Sequence, residues 1–176
     1  MKREITIERK WAMPSRHTFK IKPIRQLLNE FVHKGWWIDP FAGYYSLASV
    51  GNDIDPETPV QHHKEALEFL KGLPDNCADG VLFDPPYSVR QLSECYKKFG
   101  LSVNSKTTRS DYWTKLKREI TRILKVGGVC ISFGWNSGGI GKTLGFKQER
   151  ILLVAHGGIH NDTICVVEKK IQDKLL

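Results

Sequence analysis

Apolar positions along this chain follow two periods. From Pro23 to Phe31, Ile24, Leu27, Leu28 and Phe31 recur at helical spacing, and Pro23 suits a first helical turn. Further helices are predicted over 64–70, 91–99 and 111–124. In the last, Trp113, Leu116, Ile120, Ile123 and Leu124 share a face, with Ser110 or Asp111 as the cap. Between the helices stand apolar runs too short for helices, at 36–38, 48–54, 81–83 and 129–133. These read as buried strands. Two more strands, 150–155 and 163–168, flank a loop carrying Gly157 and Gly158. With no helix between them they close the chain as an antiparallel hairpin. A helical turn is expected over 45–47, an irregular polar and aromatic segment from Trp11 to Lys22, a polar, basic loop over 100–110 and a glycine-rich loop over 134–145. Strands alternating with helices predict an α/β fold with a mostly parallel sheet. No repeat or linker interrupts 1–176, so one domain is expected.

The composition narrows the class. The chain has 176 residues, 40% apolar and 26% charged, within the ordinary range for a globular domain. No run approaches the roughly 20 apolar residues that span a bilayer, and Met1-Lys2-Arg3-Glu4 lacks an apolar leader. Cys77, Cys95, Cys130 and Cys165 stand far apart, which points to reduced thiols in the cytoplasm rather than to disulfides or zinc. The net charge of +8 favours a polyanionic partner, nucleic acid first.

The chemistry gathers where strands end, the edge at which open α/β folds bind ligands. Val81-Leu82-Phe83 runs into Asp84-Pro85-Pro86-Tyr87. Asp84 offers an acidic acceptor, Tyr87 a flat face, and the prolines a fixed backbone with free carbonyls. Such a group suits an exocyclic amine on a flat heterocycle. The 36–38 strand runs into Asp39-Pro40-Phe41-Ala42-Gly43, where Ala42 and Gly43 let backbone approach a ligand and Asp39 could take an ammonium group. Asp53 and Ile54 end the next strand, where an acid commonly grips ribose hydroxyls. The dinucleotide fingerprint G-x-G-x-x-G is missing at the first turn, so no pyrophosphate is expected there.

Together these segments resemble the amino-group DNA methyltransferases, specifically the adenine-N6 kind, and among them the small enzymes of bacteriophages and prophages. Asp39–Gly43 is similar to their S-adenosylmethionine motif, and Asp84, Pro85, Pro86 and Tyr87 to their catalytic motif. The segment with Met13, Thr18, Phe19 and Ile21 resembles the motif that closes over the methionine end of the cofactor. Lys64-Glu65-Ala66-Leu67 resembles the motif near its adenine, where an Asp is more usual than Glu65. The resemblance covers nearly the whole chain. It implies a Rossmann-like S-adenosylmethionine-dependent fold with a seven-stranded, mainly parallel sheet and an antiparallel C-terminal hairpin. It also implies S-adenosylhomocysteine as product, DNA as partner, a bacterial cytoplasmic setting with a part in DNA methylation or restriction-modification, and no metal. The target adenine would flip out of the duplex onto Tyr87.

Such enzymes usually carry a separate target-recognition domain, and this chain has no room for one. Arg90, Lys106, Arg109, Trp135 and Lys142 are therefore the candidate substrate contacts, and a homodimer, a partner subunit or relaxed specificity would supply the rest. RNA methylation, at guanine-N2 or adenine-N6, and a non-catalytic cofactor-binding subunit are the alternatives. Gly138-Gly139-Ile140-Gly141-Lys142-Thr143 imitates a P-loop, but Asn136 stands where its first glycine is required. His156 and His160 stand four apart, yet Gly157-Gly158 argues against a helix presenting both to a metal.

Overall fold

The computed structural model describes residues 4–99 and 111–172. Seven strands form one sheet: β1 (Thr6–Trp11), β2 (Trp37–Asp39), β3 (Val50–Gly51), β4 (Ala78–Phe83), β5 (Leu124–Gly134), β6 (Phe146–Ala155) and β7 (Thr163–Lys170). Their order across the sheet is β1-β6-β7-β5-β4-β2-β3. Every neighbouring pair is parallel except at β7, which runs antiparallel to β5 and β6. The carboxyl ends of β1 to β6 therefore share one edge.

Four helices, α1 (Lys22–Phe31), α2 (Ala66–Lys71), α3 (Val89–Lys98) and α4 (Asp111–Ile123), cover the sheet. The strand period of two divides the core between its faces. On β4, Val81 and Phe83 face a cluster with Phe69 of α2 and Leu116 and Ile120 of α4. Leu82 faces the other cluster, with Ile24, Leu27 and Leu28 of α1. Gly80 is dictated by packing, because any Cβ there would collide with the Trp37 ring.

Three elements differ from the sequence reading. Strand β1 has no counterpart in the sequence reading, although Ile7 and Trp11 fall on one side of it. It is an edge strand, exposed along nearly its whole length, and charged edge residues hide the pattern a buried strand would display. The 45–47 helix does not form. There the chain turns, with Ser46 Oγ donating to Asp39 Oδ2 at 2.6 Å and the Tyr45 carbonyl accepting from Arg25 at 3.1 Å. The 48–54 strand shrinks to two residues, because Asn52 and Asp53 turn their polar groups to neighbouring loops. The chain then reaches α2 through irregular backbone and a single parallel bridge, Asn52 to His62.

Candidate functional site

Asp84 follows the end of β4 and begins the turn into α3. Pro85 is buried, and the Tyr87 N–H donates to Gln91 Oε1 at 2.8 Å. Ser88 caps α3 by accepting from the Gln91 N–H at 3.2 Å. These local bonds fix the turn, which its prolines already restrict. Within it, the Tyr87 hydroxyl donates to Asp84 Oδ1 at 2.6 Å. The Thr18 hydroxyl, from the segment after β1, stands beside both groups and bonds Asp84. Burial pushes the Asp84 carboxyl up to about 6, against the opposing pull of the Tyr87 and Thr18 bonds. Burial, followed by the Asp84 charge, pushes the Tyr87 phenol up, so it stays protonated.

This turn is a wall between two cavities. The first, of about 430 Å³, is lined by Phe41, Asp53, Ile54, Ala66, Asp84 and Leu92, among others. The second, of about 480 Å³, is lined by Phe83, Trp113, Lys117, Phe133, Trp135 and Asn136, among others. Pro85, Pro86 and Tyr87 line both. A smaller chamber of about 120 Å³ shares Phe41, Thr18 and Asp84 with the first cavity and reaches Ala42 and Gly43.

The acids near the first cavity divide the work. Asp53 lines the first cavity while accepting from the Gly43 N–H at 2.8 Å and the Asp55 N–H at 2.9 Å. A carboxylate has about four acceptor positions, so Asp53 retains capacity for a ligand hydroxyl. Asp39 requires a correction. It is wholly buried, and its oxygens already accept from the Phe41 N–H at 3.0 Å and the Ser46 hydroxyl at 2.6 Å. Burial pushes it up to about 7, and it shapes the 39–43 turn rather than lining a cavity open to an ammonium group. Pro40 and Phe41 line the first cavity beside it.

Glu65 does not line the first cavity, although Lys64 and Ala66 on either side do. It caps α2 through the Glu68 N–H at 3.1 Å and accepts from the hydroxyls of Tyr96 and Tyr112. Tyr96 in turn lines the cavity, so Glu65 holds its wall from behind. In the upstream segment Thr18 lines the first cavity, Phe19 packs on Phe133 at 5.2 Å, Ile21 is buried in the core, and Met13 is 69% exposed and lines none of the three cavities.

The substrate candidates fare unevenly. Trp135 lines the second cavity, but it meets Tyr87 edge-on, with centroids 5.6 Å apart and planes at 76°. A base sandwiched between two rings needs roughly 7–8 Å, so Trp135 flanks the slot rather than facing Tyr87 across it. Arg90 is exposed and paired to Glu94 at 2.8 Å, on neither cavity. Lys142 lies late in the glycine-rich loop, where the chain has returned to the amino edge just before β6, away from both cavities. Lys106 and Arg109 lie outside the described residues. The P-loop imitation is occupied from within: the Ile140 and Gly141 N–H groups donate to the buried Glu168 carboxylate at 2.5 and 3.2 Å. His156 is buried and clamps the strand ends, its ring bonded to the Ala12 carbonyl at 2.8 Å and to Thr163 Oγ1 at 2.9 Å.

Several site residues escape the sequence. Ser15 and Arg16 line the first cavity, as do Gln91, Leu92 and Cys95. Asn52 is a buried strut whose amide donates to the carbonyls of Pro40 at 3.2 Å and Lys64 at 3.0 Å, and accepts from the Lys64 N–H at 2.9 Å. It ties the ends of β2 and β3 to the approach to α2. Its place beside Asp53 is the one signal that points to it. Trp113 reads in the sequence as part of the apolar face of its helix, yet it and Lys117 both line the second cavity.

No family model matches the chain, and no curated protein matches it in sequence. Solved structures do resemble it in fold. A Haemophilus influenzae protein assigned as a methylase is 13% identical, with 86% of this chain and 96% of that one covered, at a TM-score of 0.51. TrmN from Thermus thermophilus is 16% identical, with 86% of this chain and 49% of that one covered, at 0.56. A methyltransferase from Archaeoglobus fulgidus, S-adenosylmethionine-dependent, is 16% identical over 64% of this chain and 50% of that one, at 0.45. The chain thus spans about half the length of the last two. The fold is α/β and Rossmann-like, the architecture of methyltransferases, with the expected antiparallel β6–β7 pair.

Proposed function

We propose that this chain transfers a methyl group from S-adenosylmethionine to the N6 amino group of adenine in DNA. One observation carries the reading: the Pro85–Tyr87 wall is common to two cavities, so a donor in one and a flat amine in the other would meet across it. The first cavity fits the cofactor. Asp53 keeps acceptor positions for ribose hydroxyls, Phe41, Ile54 and Leu92 offer an apolar slot for a heterocycle, and the Gly43 chamber suits the amino-acid end. When bound, the sulfonium supplies an electrophilic methyl carbon.

The chain's own residues do the rest. Asp84, which lines the first cavity beside the wall, and the Pro85 carbonyl accept the N6 hydrogens as the amine reaches across from the second cavity, which aims the nitrogen lone pair and stabilises the positive charge building on it. Tyr87 and Thr18 take two of about four acceptor positions on Asp84 and leave two for the amine. A carboxylate poised near 6 can then hold the proton that N6 gives up. Tyr87 offers its ring to the flipped base, and the net charge of +8 favours the polyanion that carries it.

The test is transfer of labelled methyl to unmethylated duplex DNA, single-stranded DNA and RNA, followed by mass spectrometry of the nucleosides. N6-methyladenine in DNA supports the proposal. Label confined to RNA moves the chain to RNA methylation. No transfer with cofactor bound points to a missing subunit or a non-catalytic role.

A further inference from the structure

The second cavity has a polar lining of its own, beyond the Asp84 turn. Trp113 and Lys117, one helical turn apart on α4, both face it, and Ser132 and Asn136 join them from the end of β5 and the residues after it. Lys117 is half-buried, and among the described residues it makes no ion pair within 4.0 Å. An ammonium has donors only. The Asn136 Oδ1 accepts from the Gly138 N–H at 2.9 Å, which fixes the amide and leaves its NH₂ hydrogens to donate. Ser132 serves as donor or acceptor. The two side chains with a fixed role, Lys117 and Asn136, are therefore both donors.

A nucleobase in this cavity would show the Asp84 turn its amino group and these donors the rest of its edge. Adenine suits that division, because beyond its amine it carries only acceptors, N1, N3 and N7. Guanine does not, because beside its amine stands an N1–H that needs an acceptor. A cation next to the amine would oppose the charge building there, so Lys117 belongs on a ring nitrogen.

We infer that Lys117 and Asn136 read the ring edge of the target base, and that their donor-only character selects adenine over guanine. The inference rests on the proposed base cavity. It is tested with a duplex carrying a methylation site mapped for the wild-type protein, in which the target adenine is replaced by 1-, 3- or 7-deazaadenine. With the wild type, one replacement should lower kcat/KM by about 10- to 100-fold. Lys117→Met should show that loss already on adenine and no further loss on that analogue. Asn136→Leu should do the same for another ring nitrogen. Both variants should bind S-adenosylhomocysteine within about twofold of the wild type, which separates base reading from folding. Wild-type rates in both variants, or undiminished sensitivity to all three analogues, would overturn the inference and leave the adenine-methylation reading standing. Absence of wild-type transfer to adenine would instead sink that reading. Base preference is then read by binding at saturating S-adenosylhomocysteine: deoxyadenosine should bind more tightly than deoxyguanosine and Lys117→Met should erase the difference, whereas equal binding by the wild type overturns the inference.

Discussion

Asp39 and Asp84 occupy matching places. Each stands at the carboxyl end of one of two neighbouring parallel strands, each precedes a proline, and burial raises both, to about 7 and about 6. Their uses diverge because their partners do. Asp39 is sealed in, with its oxygens bonded to Phe41 and Ser46 of its own turn. Asp84 opens on the first cavity and is bonded to Tyr87 and Thr18, two hydroxyls that can yield to a ligand. An Asp-Pro at a strand end is thus ambiguous in isolation. What surrounds the carboxylate decides whether it builds the site or works in it.

The sharpest way to break the comparison is to remove each acid. Asp84→Ala should lower methyl transfer by roughly 10²–10³-fold or more, with cofactor affinity within a few-fold. Asp39→Ala should instead strand the Phe41 N–H and Ser46 hydroxyl. We expect a melting temperature lower by roughly 5–10 °C and weakened cofactor binding, read by calorimetry and titration. Equal loss of binding and transfer in both variants would erase the distinction.

Next comes pH. On the proposed mechanism Asp84 accepts the amine hydrogens only when ionised, so kcat/KM should fall as pH drops below about 6. Stability should run the other way. Both folded-state values lie above the ordinary Asp value near 3.9, so the folded chain holds protons more tightly than the unfolded one. Their contribution is complete below about pH 4 and is lost as pH rises through about 6 and 7. Melting temperature and activity measured from pH 5 to 8 should therefore move in opposite directions, other groups being equal. Tyr87→Phe sharpens the point. Losing its hydroxyl removes a bond that favours ionised Asp84, so the acidic limb of the pH–rate profile should move upward by a fraction of a unit to one unit.

Smaller effects follow from the supports. Tyr96→Phe removes one bond to Glu65 and should weaken cofactor binding by roughly 2- to 10-fold, since such a bond contributes about 1 kcal/mol. Lys142→Ala, at the far edge of the sheet, should change nucleic-acid affinity by less than about twofold at physiological salt. A larger loss would place the nucleic acid on a face other than the carboxyl edge.

The sequence made the two turns visible because their chemistry is local: acid, proline and small or aromatic residue lie within five positions. The supports were invisible for the opposite reason. The Glu65–Tyr96 and Glu65–Tyr112 bonds span 31 and 47 residues, and the Ile140–Glu168 bond spans 28. No spacing rule links residues that far apart. Asp39 misled because nothing in Asp39–Gly43 announces Ser46 as its partner. Lys142 misled because the loop's direction, from carboxyl edge back to amino edge, is set by the strand that follows it. The central strands were legible from apolar runs, while on β1 Ile7 and Trp11 are separated by charged residues and form no run.

The pairing of β1 with β6 orders events in time. Thr6 sits opposite Arg150, and Ala12, donating to the Ala155 carbonyl, leads into the segment carrying Thr18. During synthesis β1 emerges well over a hundred residues before β6 and must wait for it to find its place, the slow, distant kind of contact. The clasp over the first cavity is therefore the final seam to close, and a nascent chain halted before β6 lacks it. Pulse-labelling hydrogen exchange during refolding should find the amides of β1 protected after those of β4 and β5.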